Sequence, residues 1–348
     1  MKSLLLVTAV AASLLVVPVA SASPVASSGW DSSGWELRPT GVDARLRGLS
    51  AVSSRVAWVS GSAGTVLRTV DGGASWASVG PPGTADLQFR DIQAFDARHA
   101  VVLSIGPGES SRIYRTADGG DSWTETFRNA DPAAFYDCVA FFDRWRGLAM
   151  SDPVDGRFRV LRTVDGGRTW SQVPASNFPP ALPGEAGFAA SGQCVATAGG
   201  RDAWIATGGG ATARVLHSAD GGWRWTVADT PLLSSPSAGV FAVAFRDPRH
   251  GLAIGGDYAN PTGAVANLAA SRDGGRSWTG VSGPVGYRSG LAWHGSSVIA
   301  VGPTGSDVSR DGGRSWRKFD EGSFDTVDCA GVCWAAGEKG RVGVLTRG

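Results

Sequence analysis

The sequence predicts an all-β protein: a seven-bladed β-propeller whose blades are four-stranded antiparallel sheets. Three observations predict it. The motif S/T-x-D-G-G-x-x-W returns six times, first as "RTVDGGASW" at 68–76. Each copy follows the same pair of short apolar strands. The two ends of the repeat region hold complementary fragments of one further unit. Self-similarity at a period of tens of residues signals a repeat architecture, and four short strands per repeat read as a propeller blade.

The six motifs end at Trp76, Trp123, Trp170, Trp225, Trp278 and Trp316, and their acidic residues are Asp71, Asp118, Asp165, Asp220, Asp273 and Asp311. Their spacing drifts between about 38 and 55 residues, as one loop of variable length per unit would give. Upstream of each motif lie alternating apolar segments such as "GLSAVSSRVAWVSG" (48–61) and "AVAFRDPRHGLAIGG" (242–256). Alternation of this kind is the mark of half-buried strands. First strands begin near Arg47, Arg90, Asp137, Gln193, Val240, Ser289 and Thr326, which makes seven units. The last, "TVDCAGVCWAAGEKGRVGVLT", has three strands and no Trp strand, whereas "GWELRPT" (34–40) is a Trp strand with no unit before it. Trp35 therefore belongs to the seventh sheet, which would close the ring and remove its exposed edges.

Each part of the motif has a local structural task. The glycines tolerate positive φ. The Asp and the preceding Ser or Thr can accept N–H bonds from the turn, and the Trp packs over it. A catalytic or metal-binding role for six Asp residues in six different units is disfavoured, because they stand far from a common centre. The alternating oxygen ligands of a calcium loop are also missing.

The N-terminus reads as an export signal. Lys2 precedes an apolar run over 4–17, and Ala20-Ser21-Ala22 offers a small-residue cleavage site. The run is shorter than the roughly 20 residues of a spanning helix, and no Cys follows it as a lipoprotein anchor would require. The expected organisation is a signal peptide at 1–22, a flexible segment at 23–33 and the propeller at 34–348, in a periplasmic or secreted protein with no membrane span after cleavage. Lys and Arg number 32 against 31 Asp and Glu. This balance argues against a nucleic-acid partner recruited by net charge.

Four cysteines suit an oxidising compartment. Cys329 and Cys333 could close a tight hairpin, and Cys138 ("DCVA") and Cys194 ("QCVA") hold matching places in successive units. No His stands at ligand spacing from any of them, so no metal and no cofactor are expected.

These motifs resemble the Asp-box, or bacterial neuraminidase repeat, over nearly the whole chain after the signal. The fullest resemblance is to the photosystem II assembly and stability factors: "GSAGTVLRTVDGGASW" (61–76) fits their repeat and "GEKGRV" (337–342) its first half. That resemblance implies a non-catalytic surface for a protein partner, of the membrane-protein-subunit class, with an arginine patch at one mouth of the central channel. Arg45, Arg47, Arg90 and Arg288 fall at or just before first strands and are the candidates, with Tyr136, Asp137 and Phe188 nearby.

The Asp-box also implies an alternative, a glycoside hydrolase. The Arg-Ile-Pro signature of sialidases is missing here; "SRIYR" (111–115) is the nearest string. A glycosidase needs two carboxylates facing across a cleft, for which Asp152, Asp155, Asp257 (beside Tyr258) and Glu338 are placed on suitable loops. Carbohydrate binding without cleavage would draw on exposed Trp such as Trp145 or Trp223. His99 ("DARH") and His250 ("DPRH") repeat at one turn of two units and read as turn stabilisers.

Overall fold

A computed structural model describes residues 34–345. The expected signal peptide at 1–22 and the expected flexible segment at 23–33 lie outside the described residues. The chain forms seven antiparallel sheets of four strands each. In chain order, blades 1 to 6 span residues 46–78, 88–128, 136–172, 195–229, 238–280 and 290–320. Blade 7 takes its three inner strands from Thr326–Ala330, Val332–Ala336 and Val342–Leu345, and its outermost strand from Glu36–Leu37. Glu36 pairs with Val344 and Leu37 with Gly343. The ring is thus closed by joining the two ends of the propeller in one sheet.

The acidic turns fasten each blade twice. In blade 1 the Thr69 hydroxyl donates to Asp71 Oδ1 (2.8 Å) and accepts from the Gly73 N–H (2.9 Å). Asp71 also accepts from the N–H and hydroxyl of Ser75, at 3.0 and 2.6 Å. The pattern repeats in blade 6 around Asp311. The Ser75 hydroxyl and N–H, with Thr69, hold the Asp71 carboxyl down at about 2, and Ser277 does the same for Asp273. A depressed carboxylate of this kind stabilises the fold above its ordinary value of 3.8, and the contribution is lost as pH falls through about 2.

The two glycines differ in task. The first donates its N–H to the turn between the inner two strands of its own blade, as Gly72 does to Arg55 and Gly274 to Arg249. The second lies against the preceding blade. A Cβ on Gly120, Gly222, Gly275 or Gly313 would stand within 2.8 Å of Val79, Leu148, Trp204 or Leu252 respectively. The motif's Trp crosses the same seam. Trp123 packs edge-on against Trp58 of blade 1 (6.4 Å) and donates to Val79 O (2.6 Å). Trp76 meets Trp334 of blade 7 (6.0 Å), and Trp35 donates to Ser306 Oγ of blade 6 (2.9 Å).

Polar groups bind neighbouring inner strands around the channel. Asp91 accepts from Val139 N (2.7 Å), Asp328 from Ala51 N (2.9 Å), and Ser50 from Ala94 N (3.0 Å). A disulfide joins Cys138 to Cys194 across 56 residues, tying blade 3 to the entry of blade 4. A second joins Cys329 to Cys333, only four apart, across one hairpin of blade 7. Loop entropy makes the first worth about 4 kcal/mol and the second about 2 kcal/mol.

Two glycines of one turn separate backbone strain from packing. Gly312 (φ +77°) has open space where a Cβ would go, whereas at Gly313 (φ +91°) it would lie 2.8 Å from Leu252. Gly312→Ala should cost about 1 kcal/mol, the ordinary left-handed penalty. Gly313→Ala should cost about 2 kcal/mol more, because it also pushes two blades apart. Urea unfolding of the two variants measures the difference.

Candidate functional site

The six box carboxylates stand in six separate turns, each spent on its own Ser or Thr and backbone, and they form no common pocket. The corresponding corner between the inner strands is acidic too. Asp96 accepts from the Arg98 and His99 N–H groups and stands 2.9 Å from His99 Nδ1, and Asp247 repeats this with His250. Both histidines are turn fasteners.

The opposite face carries the mouth of the channel. A cavity of about 410 Å³ opens there, lined by Arg45, Arg47, Phe188, Tyr258, Tyr287 and Asp325 among others. Arg45 grips Asp325 through both arms of its guanidinium, at 2.8 and 2.7 Å, and stands 3.4 Å from Glu338. Arg47 lies 3.8 Å from the same Asp325 and is only 18% exposed. Its pKa is lowered by burial. Arg90 donates to Ala189 O at 2.6 Å. Burial, then the charges of Arg47 and Arg45, bring it down to about 10. Among the described residues no carboxylate pairs with Arg90, and Asp325 is shared between two cations. The mouth therefore carries positive charge that the chain only partly compensates.

Arg288 does not belong to this surface. It is 1% exposed and holds Asp307 at 2.8 and 2.6 Å, with further bonds to Thr304 and the Tyr287 carbonyl. A guanidinium buried this fully is kept by its paired carboxylate, so its role is to anchor the entry of blade 6. Tyr136 and Asp137 are buried as well, at 1% each.

One wall of the mouth is aromatic. Phe188 stacks on Phe241 (4.1 Å), Tyr258 meets both edge-on (6.3 and 6.2 Å), and Tyr287 closes against Phe241 (4.7 Å). Tyr258 remains 52% exposed. Asp257 beside it accepts the Ala259 N–H (2.9 Å) and holds that turn.

The floor is a plug that sequence reasoning missed. Residues 187–193 cross the channel before blade 4 begins. The Gly187 N–H donates to Asp152 (2.7 Å), Ser191 to the Ser289 carbonyl (2.6 Å), and Gln193 to the Leu291 and Val327 carbonyls (2.9 and 3.0 Å). Gly192 lies so close to Asp91 that a Cβ would sit 2.4 Å from its carboxylate. The available signal was length: the link from Gln172 to Val195 is far longer than an ordinary blade connection.

The acidic candidates are drawn into the scaffold. Asp152 faces the buried Asp137, and burial followed by the Asp152 charge holds Asp137 well above its ordinary value. Burial also pushes Asp152 up, to about 6. Glu338 stands against Arg45, and Asp155 occupies a left-handed turn position (φ 53°). Trp145 and Trp223 are exposed at 51% and 41%, each with an arginine over its ring, Arg168 at 5.8 Å and Arg162 at 5.4 Å.

The chain is structurally similar to YCF48 bound to a D1 peptide, with a TM-score of 0.65 and 16% identity, covering 91% of this chain and 98% of that one. The chain has the YCF48 fold. YCF48 from Cyanidioschyzon merolae gives a TM-score of 0.62 at 16% identity, covering 90% and 99% of the two chains. The GH74 enzyme of Niastella koreensis gives 0.62 at 13% identity, over 88% of this chain and 53% of that one. No protein-family model and no curated protein matches the sequence. At these identities the likeness shows the fold alone.

The raised carboxyls set a pH dependence. A carboxyl raised by folding favours the folded state below its ordinary value of 3.8, and that advantage is lost as pH rises through its folded value. Stability should therefore fall between about pH 4 and 6 and beyond. Asp152→Asn, which still accepts the Gly187 N–H, should flatten this slope in urea midpoints taken from pH 4 to 8.

Proposed function

We propose that this chain is an exported, non-catalytic binding propeller that holds a segment of a protein partner at the plugged mouth. The observation that carries this reading is an under-compensated guanidinium, Arg47, lining one cavity with the exposed ring of Tyr258, while a second, Arg90, donates to the carbonyl of Ala189 in the cavity wall. Guanidiniums in a partly desolvated site recognise carboxylates strongly, and an exposed Tyr offers a rigid apolar contact with a polar tip. A peptide that presents a carboxylate beside an apolar side chain satisfies both. The plug supports the same reading, since a partner resting on it buries its surface against a firm floor. The likeness to YCF48 bound to a D1 peptide makes a membrane-protein subunit the partner class to test first. Export rests on the Lys2 and 4–17 pattern, and the two disulfides suit it.

The likeness to a GH74 enzyme supports a second reading, glycoside hydrolysis. It would need two carboxylates roughly 5–10 Å apart across the mouth. Asp152, Asp257 and Glu338 are instead engaged by Gly187, Ala259 and Arg45, which weighs against it.

A fluorescence titration with a panel of peptides carrying acidic or free C-terminal carboxylates tests the first reading. Arg47→Glu with Arg90→Glu should weaken binding at least tenfold, about 1.4 kcal/mol, and Tyr258→Ala severalfold, with the circular dichroism unchanged. Binding that ignores all three substitutions overturns the site. Turnover of a β-glucan or sialoside that Asp152→Asn abolishes would favour the hydrolase.

A further inference from the structure

The sequence holds no His near its cysteines, but the ring does. His294 ends the innermost strand of blade 6, Gly290–His294, and Cys329 and Cys333 face each other across the hairpin of blade 7. A ring nitrogen of His294 and the two sulfurs all lie within 4.8 Å of one another. The three residues come from two blades and meet beside the channel on the face opposite the arginine mouth, where Trp293 and Asp328 line a separate cavity.

The two disulfides are unlike. Cys138 and Cys194 are both fully buried, and they close a separation of 56 residues. The other pair closes a separation of four inside a hairpin whose ladder already pairs all five residues of each strand. Its bridge therefore adds the least to the fold. Cys329 is also partly exposed, so a thiol can reach its sulfur, while Cys333 is buried.

We propose that Cys329, Cys333 and His294 form a redox-gated site for a thiophilic divalent cation, zinc being the class that fits. A dithiol reductant attacks the Cys329 sulfur and releases Cys333 as thiolate. Its second thiol then displaces Cys329, leaving the reductant as a disulfide and the protein with two thiols, two electrons and two protons having been transferred. The cation displaces two protons from the thiols and takes both sulfurs and the imidazole nitrogen. Two thiolates and a neutral imidazole balance a dication, and the fourth tetrahedral position stays open to water, as in three-ligand zinc sites. Ideal zinc geometry sets the sulfurs about 3.8 Å apart and each about 3.5 Å from the nitrogen. Side-chain rotation can reach this from the observed cluster, because both cysteines already share a register pair on one face of the hairpin. Oxidised, the site is a staple; reduced, it binds metal and cross-links blade 6 to blade 7 instead.

The test uses the purified chain under a mild dithiol reductant, with thiols counted and the Cys138–Cys194 bridge verified by mass spectrometry. Co²⁺ is then titrated as the probe. The expected result is two thiols per chain, one Co²⁺ bound with an intense near-ultraviolet thiolate charge-transfer band, and displacement of that band by Zn²⁺. His294→Gln should weaken Co²⁺ binding at least tenfold while two thiols remain. No band in a folded chain with two free thiols overturns the proposal. So does a bridge that resists reduction until the β-sheet dichroism is lost, or a His294→Gln variant that titrates as the unaltered chain does.

Discussion

The structure depends on a seam that no single blade can make. A four-stranded sheet of this size has two apolar faces and buries neither alone, so stability comes from stacking neighbours in a ring. The second glycine of each acidic turn is where that stacking is closest. A methyl group on Gly275 or Gly313 would collide with Trp204 or Leu252 of the preceding blade. The Asp and Ser or Thr hold the turn so that this glycine meets the neighbour, and the Trp that follows covers the join. The recurring motif thus acts between blades as much as within them, and its carboxylates are consumed in doing so.

Closing the ring creates a hole, and the hole creates the remaining problem. Seven inner strands present backbone and side-chain polar groups toward the axis. Some bind the next blade, as Asp91 and Asp328 do. Others are met by residues 187–193, which cross the axis and touch blades 2, 3, 6 and 7. The plug makes one end of the channel a shallow cup rather than a pore. Above it sit the arginines that lack full carboxylate partners and the aromatic wall that Phe188, itself a plug residue, completes.

Charge is distributed unevenly between the two faces. On the face of the acidic turns, the box carboxylates are satisfied by hydroxyls and amides, and Asp96 and Asp247 by histidine and backbone. On the mouth face, Asp325 serves Arg45 and Arg47 together, and burial raises the carboxyls of Asp137 and Asp152 above their ordinary value. Around the mouth Asp325 and Glu338 are the carboxylates set against Arg45 and Arg47, and among the described residues none pairs with Arg90, although the whole chain is balanced.

The sequence by itself determined the blade. Alternating apolar residues, the Gly-Gly turn and its Trp are local rules with short-range causes, and they fixed seven units and the placing of Trp35 in the last. Arg45, Arg47 and Arg90 were legible because each falls at or close to the start of a repeated first strand. What only the tertiary structure decided is how equivalent positions differ. Arg288 also falls close to the start of such a strand, yet a nearby Asp307 draws it inward and buries it. Asp152 was visible as a loop carboxylate, but its partner Asp137 and its bond to the plug depend on a link whose path has no periodicity to follow. His294 reaches Cys329 and Cys333 because ring closure packs blade 6 on blade 7, a contact set by curvature of the whole and not by any spacing along the chain.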